Sequence, residues 1–109
     1  MDKTKSLTRL TAAAHERILS IPGVADSGRG SFRIGKKVFV RLAKTQDGAS
    51  VFQFKLTPLS ASRARANYAQ VRPMQFGGMG RHGWIEFTLT RAAQLRALAS
   101  LLAESRALY

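Results

Sequence analysis

Hydrophobic residues recur along this chain at two spacings, one typical of helices and one typical of strands. Apolar stripes at helical spacing run through residues 6–20, through 57–70, where the pattern is weaker, and through 91–108. Pro22-Gly23 ends the first stripe, and Thr57-Pro58 is a capping residue followed by a first-turn proline. The sequence therefore predicts three amphipathic helices.

Between these helices, apolar residues occupy every second position, as in strands that bury one face. The runs cover residues 31–34, 37–42, 50–56 and 84–89, and 71–73 can add a brief extended piece. Gly35-Lys36 and Asp47-Gly48 are turn signals that link the first three runs as hairpins. The order α-β-β-β-α-β(-β)-α predicts an α+β two-layer sandwich, in which an antiparallel sheet carries helices on one face. Residues 76–83 are too glycine-rich for regular structure.

Length and composition bound the organisation of the chain. With 109 residues, 45% of them hydrophobic, it is large enough for one core. Residues 1–5 are predicted to be a flexible basic N-terminal tail, and residues 6–109 a single domain. No apolar run approaches the roughly 20 residues of a membrane span, so we expect no membrane partner. The absence of cysteine fits a cytoplasmic protein.

Candidate chemistry is sparse. The two histidines and six carboxylates are scattered, and no Ser, His and acid form a nucleophile motif. Gly77-Gly78-Met79-Gly80 precedes a strand and lacks the Gly-Lys-Ser/Thr ending of a phosphate loop. We therefore expect no catalytic residues, no metal site and no cofactor, and we interpret the chain as a non-enzyme.

The formal net charge of +12 makes polyanions the natural partners. Strand alternation predicts that basic and aromatic side chains share the face opposite the helices, together with Gln53 and Glu86. Bases can stack on such aromatics while Lys and Arg neutralise phosphates. Lys36 at a hairpin tip and Arg81 and His82 in the glycine-rich loop could add contacts. The candidate nucleic-acid-binding residues are Arg33, Lys36, Lys37, Phe39, Arg41, Lys55, Arg81, His82 and Trp84.

Other interpretations of the same face remain open. Trp84 can make a structural cation–π contact with Arg41 or Lys55, and Phe39 can be buried beneath a second copy of the chain. The alternative function is a protein-interaction or small-ligand-binding module that meets an acidic partner or forms a homodimer. We therefore expect a monomer or a homodimer.

Several segments, taken in order, resemble the MmcQ/YjbR family of small bacterial proteins. These are Ile21-Pro22-Gly23-Val24, Phe32 to Phe39, Phe54-Lys55-Leu56-Thr57-Pro58, Val71-Arg72-Pro73, and Gly83 to Leu89, followed by a terminal helix with Ser105 and Leu108 near its end. The resemblance covers nearly the whole chain. It implies a frataxin-like or secretion-chaperone-like α/β sandwich and a DNA-binding role, so DNA is the expected nucleic acid in preference to RNA. Little sequence preference is expected, because no array of base-reading side chains is visible.

Overall fold

A computed structural model describes residues 3–74 and 79–109, with side chains from residue 5 onward. Within these ranges the chain forms three α-helices, six β-strands and two short 3₁₀ helices. The α-helices are α1 (Lys3–Leu19), α2 (Pro58–Asn67) and α3 (Leu95–Arg106). The strands are β1 (Val24–Asp26), β2 (Ser31–Ile34), β3 (Lys37–Lys44), β4 (Ser50–Lys55), β5 (Val71–Pro73) and β6 (Trp84–Leu89), and the 3₁₀ helices cover Met79–His82 and Ala92–Gln94.

The six strands form one sheet in the order β1-β2-β3-β4-β6-β5, and every neighbouring pair is antiparallel. Buried residues of all three α-helices share a single core with the inward side chains of the sheet. That core includes Leu10, Ile18, Ala61, Ala64, Leu98 and Leu102 from the helices and Phe32, Phe52, Phe54, Ile85 and Phe87 from the strands. The predicted α+β sandwich is therefore confirmed, with the helices in one layer and the sheet in the other.

The element boundaries differ from the prediction in three places. Helix α1 begins at Lys3, inside the stretch predicted to be a tail, while residues 1 and 2 lie outside the described residues. Val24–Asp26, which the alternation pattern did not assign to a strand, is an edge strand held by pairing with β2. Met79–His82 of the glycine-rich segment forms a 3₁₀ helix, whereas residues 76–78 of that segment lie outside the described residues.

The outward placement predicted for Phe39 is wrong. Phe32 pairs with Val40 but Arg33 pairs with Val38, so a β-bulge inserts Phe39 as an extra residue in β3. The bulge resets the alternation, and both Phe39 and Val40 are completely buried in the core. Val38 instead pairs with the outward-facing Arg33. Phe39 therefore cannot offer a stacking surface to a ligand on the opposite face.

Tyr109, which follows α3, holds this bulge from the helix side. Its ring meets that of Phe39 edge to face, with centroids 5.4 Å apart and an interplanar angle of 87°. Its hydroxyl donates a 2.8 Å hydrogen bond to the carbonyl oxygen of Val38. The terminal helix is thereby tied to the strand whose register places the outward side chains.

Tyr109→Phe should lower the free energy of unfolding by about 0.5–1.5 kcal/mol, because it removes this hydrogen bond and keeps the ring. Urea denaturation measures the change. Tyr68→Phe is the matched control, since the described part of the structure gives the Tyr68 hydroxyl no hydrogen bond. Equal effects of the two substitutions would show that the Val38 contact contributes nothing.

Alkaline pH should weaken the contact that Tyr109 makes with β3. Burial raises the pKa of Tyr109 above the ordinary value of 10.0, because the folded state favours the neutral hydroxyl. Its contribution to stability is therefore complete below pH 10 and is lost as the pH rises through the raised folded value. Unfolding free energies measured below and above pH 10 should show this loss in the natural chain, and Tyr109→Phe should lack that component.

Candidate nucleic-acid interface

We use the term open face for the side of the sheet that points away from the three helices. Its members pair with one another across neighbouring strands and alternate with side chains that enter the core. No helix of the described residues contributes a buried side chain to this side. The open face consists of Ala25, Ser31, Arg33, Val38, Arg41, Ala43, Val51, Gln53, Lys55, Arg72, Trp84, Glu86 and Thr88.

A polar row crosses the middle of the open face. Arg41, Gln53, Glu86 and Arg72 are successive cross-strand partners on β3, β4, β6 and β5. The Gln53 amide nitrogen Nε2 donates to Glu86 Oε2 at 2.8 Å, and Arg72 Nε donates to Glu86 Oε1 at 2.9 Å. Both carboxylate oxygens thus have a partner, as the burial of Glu86, 8% exposed, requires.

This row sets the charge of the open face. Glu86 is its single carboxylate, against the cations Arg33, Arg41, Lys55 and Arg72. Arg72 is paired with Glu86, but 64% of its side chain remains exposed to solvent. Arg33 and Arg41 are exposed as well, and Lys55 is half-buried. The face is therefore cationic, and its one negative group is held inside a hydrogen-bonded row.

Trp84 lies on the open face, as its alternation with the buried Ile85 predicted. It is half-buried and pairs across strands with Lys55. Its position depends on Gly83, which adopts φ +96° and whose carbonyl accepts a 2.9 Å hydrogen bond from Leu56 N. A Cβ on Gly83 would overlap the Leu56 carbonyl oxygen, so only glycine permits β6 to begin so close to the end of β4.

The β2–β3 hairpin carries three of the predicted cations, but they do not share one face. Arg33 is outward and donates through Nη1 to the Lys36 carbonyl at 3.0 Å, and Lys36 is exposed in the turn. Lys37 pairs with Ile34, whose side chain packs against the core. The outward placement predicted for Lys37 is therefore wrong, since the bulge shifts it to the helix side at the exposed end of the hairpin.

Arg81 and His82 lie at the Trp84 end of the open face. Both are exposed in the 3₁₀ helix that ends immediately before Gly83 and Trp84. This helix packs closely on the segment after β5, because a Cβ on Gly80 would lie 2.9 Å from the Met74 carbonyl oxygen. Arg81 and His82 therefore precede the tryptophan on a closely packed turn.

Strand alternation predicted some members of the polar row but not their contacts. Gln53 and Glu86 face outward as predicted, but their contact depends on the pairing of β4 with β6. Arg72 was not among the candidate residues, although Val71 inward and Arg72 outward is the alternation of a short strand. The alternation that marks β5 is therefore present in the sequence, but it covers only three residues.

Other polar contacts lie away from the open face. His15 Nε2 is 3.2 Å from Asp26 Oδ2, and the His15 ring meets Phe32 edge to face. The hydrogen bond from the Gly28 backbone N–H is the largest cause that lowers the pKa of Asp26, and the hydrogen bond with His15 is the next.

Among the described residues, no three side chains of His, Cys, Asp or Glu lie together in a group able to hold a metal ion. None of the helices in that part of the chain has the length and hydropathy of a membrane span.

Several concave surfaces formed by the described residues are large enough for a small group. An apolar groove of about 570 Å³ lies between α1 and the β3–β4 turn and is lined by residues that include Leu7, His15 and Leu19. A polar cavity of about 440 Å³ lies where β6 ends. The polar cavity shares Arg72 and Thr88 with the open face.

Comparison with protein-family models and with curated proteins finds no match to this chain. Membership of the MmcQ/YjbR family therefore stays a prediction that rests on the residues quoted above.

Glu86→Ala should lower the free energy of unfolding by about 1–3 kcal/mol, because it leaves Gln53 and Arg72 without their acceptor on a partly buried row. Chemical denaturation monitored by circular dichroism measures the loss. Glu104→Ala on the exposed side of α3 is the control and should change stability by no more than about 0.5 kcal/mol. If Glu86→Ala is as mild as Glu104→Ala, the row does not organise the open face.

Proposed function

We propose that this protein binds nucleic acid, without catalysis, through the open face and the basic turns beside it. One observation carries the proposal: a half-buried Trp84, paired across strands with Lys55, shares with exposed arginines a sheet face that no described helix covers. Cationic grooves with aromatic platforms are how many proteins hold single-stranded nucleic acids.

The proposed contacts are of two kinds, ionic contacts to phosphates and stacking of a base. Arg33, Arg41 and Lys55 neutralise phosphates across β2, β3 and β4, while Trp84 offers one stacking surface at the start of β6. Lys36, Lys37, Arg81 and His82 extend the contacts at the hairpin tip and at the 3₁₀ helix. With Phe39 in the core, Trp84 is the only aromatic of the described residues on this face, so charge supplies most of the affinity and binding should weaken steeply with salt.

The polar row supports weak sequence preference. Carboxamide side chains read adenine and carboxylates read cytosine, and both must be free to bond base edges. Both Glu86 oxygens already accept hydrogen bonds, and the Gln53 amide donates to one of them. The open face is therefore better suited to contact the phosphate backbone and stack on a base than to form hydrogen bonds with base edges.

The identity of the nucleic acid is part of the proposal. The resemblance to MmcQ/YjbR proteins favours DNA, and a flat face with a single stacking residue suits a single strand. A cytoplasmic setting accords with a chain that has no cysteine. The alternative, in which the same face meets a protein partner or a second copy, is an outcome that the following experiment separates.

The double substitution Arg41→Gln and Lys55→Gln should weaken binding to a short single strand and flatten its salt dependence. Each lost phosphate contact lowers the slope of log K against log salt by about 0.7 for single strands, so two contacts give about 1.4. Fluorescence anisotropy of a labelled oligonucleotide over a salt series measures both quantities.

Arg63→Gln with Arg65→Gln is the charge-matched control, because both arginines are exposed on α2 in the helix layer. This variant has the same net charge but keeps the open face. Equal losses in the two double variants would mean that binding follows net charge and not the open face. A natural chain that fails to bind at low salt, or that forms a dimer disrupted by Arg41→Gln with Lys55→Gln, would favour the alternative.

A further inference from the structure

The polar cavity at the end of β6 brings arginine and threonine side chains together. It is an open concavity of about 440 Å³ between the end of β3, the segment before β5 and the turn that leads into α3. Its lining includes two guanidinium groups and three hydroxyls but no carboxylate. The lining residues are Thr45, Ala69, Gln70, Arg72, Thr88, Thr90, Arg91 and Gln94.

Hydrogen bonds fix the walls of this cavity. The side-chain oxygen of the buried Gln94 accepts from the backbone N–H of Thr90 at 2.8 Å and of Arg91 at 3.1 Å. These bonds hold the turn that carries Arg91. On the opposite wall, Thr88 N donates to the Gln70 carbonyl at 3.0 Å. A cavity whose backbone is already ordered loses little conformational freedom when a ligand enters.

The two arginines are arranged differently. Arg72 is oriented by its Nε contact to Glu86, which also offsets part of its charge. Arg91 is exposed and makes no ion pair among the described residues. Arginine binds phosphate oxygens through paired N–H groups, and the Thr45 and Thr88 hydroxyls add further donors, whereas the Thr90 hydroxyl donates to Gln94 Oε1 at 3.4 Å. Two guanidinium groups without a lining carboxylate therefore suit a tetrahedral dianion better than a neutral ligand.

The cavity is continuous with the open face. Arg72 and Thr88 belong to both, and β6 carries the chain from Trp84 to the cavity wall at Thr90 over about 20 Å at strand rise. A nucleic-acid strand stacked on Trp84 and running along β6 would bring its end to this cavity. A phosphodiester within a strand has two of its oxygens esterified, whereas a terminal phosphate presents three free oxygens to such a concave site.

We propose that this cavity binds the phosphate group of a phosphomonoester, and that the ligand is the terminal phosphate of a strand held on the open face. The phosphate chemistry follows from the cavity alone, while the choice of a strand end as its source rests on the proposed function. A free small phosphate is the other source of the same chemistry.

Three single strands of identical sequence test the source: one with a 5′-phosphate, one with a 3′-phosphate and one with neither. One of the phosphorylated strands should bind about tenfold more tightly than the unphosphorylated strand, as expected for charge-assisted hydrogen bonds to a phosphate. Arg91→Gln should bring this ratio close to one. Arg96→Gln, which removes an exposed arginine of α3 outside the cavity lining, should leave the ratio unchanged.

A second measurement tests the phosphate chemistry without nucleic acid. Titration with inorganic phosphate, followed by amide chemical shifts of the 12.0 kDa chain, should perturb Thr88, Thr90 and Arg91 in the natural protein and not in Arg91→Gln. Strands that bind without any end preference, together with no shift at these residues, would overturn the inference and leave the proposed function standing.

The remaining outcomes separate the two proposals. Phosphate shifts at the cavity with no binding of any strand would support the phosphate site and refute the nucleic-acid function. In a further outcome, phosphorylated and unphosphorylated strands bind equally, while inorganic phosphate shifts the amide signals of the cavity residues. This result would refute the strand end as the source and assign the site to a free phosphate.

Discussion

Burial of one face of the sheet by phenylalanine is the constraint on which the other features depend. Phe32, Phe39, Phe52, Phe54 and Phe87 are each at least 99% buried between the sheet and the helices. Burial of each phenylalanine side chain contributes roughly 1.5–3 kcal/mol. A register slip of one residue in a strand that carries them would expose these side chains to solvent. The register is therefore fixed from the inside, and the outward side chains take their positions as a consequence.

On the outward side, a buried carboxylate organises the cations. Glu86 fixes Arg72 and Gln53 in one row, so the polar groups at the centre of the open face are already bonded to one another. Arg33, Arg41 and Lys55 are left to meet solvent or a ligand. A surface of this kind suits a polyanion that is recognised by its backbone, and the cavity beside Arg72 adds a place where an anionic end can lodge.

Strand alternation and helix periodicity were enough to predict the α+β sandwich and the outward positions of Trp84, Arg41, Gln53 and Lys55, because a half-buried strand repeats every two residues. The prediction failed at Phe39 and Lys37, where a bulge adds one residue to β3; the three consecutive apolar residues Val38-Phe39-Val40 were its only trace. The bond between Glu86 and Arg72, and the cavity lined by Thr88 and Arg91, bring together residues from separate elements. Such contacts depend on how strands pair, which local patterns do not contain.

The emission of Trp84, the only tryptophan of the chain, tests most directly whether the open face binds nucleic acid. The measurement is a titration with a short single-stranded oligonucleotide at low and at moderate salt. Saturable quenching that weakens as salt rises is the expected result, since a base stacks on the indole while cations hold the phosphates. Unchanged emission, whether or not the strand binds by anisotropy, would contradict the assignment of binding to this face.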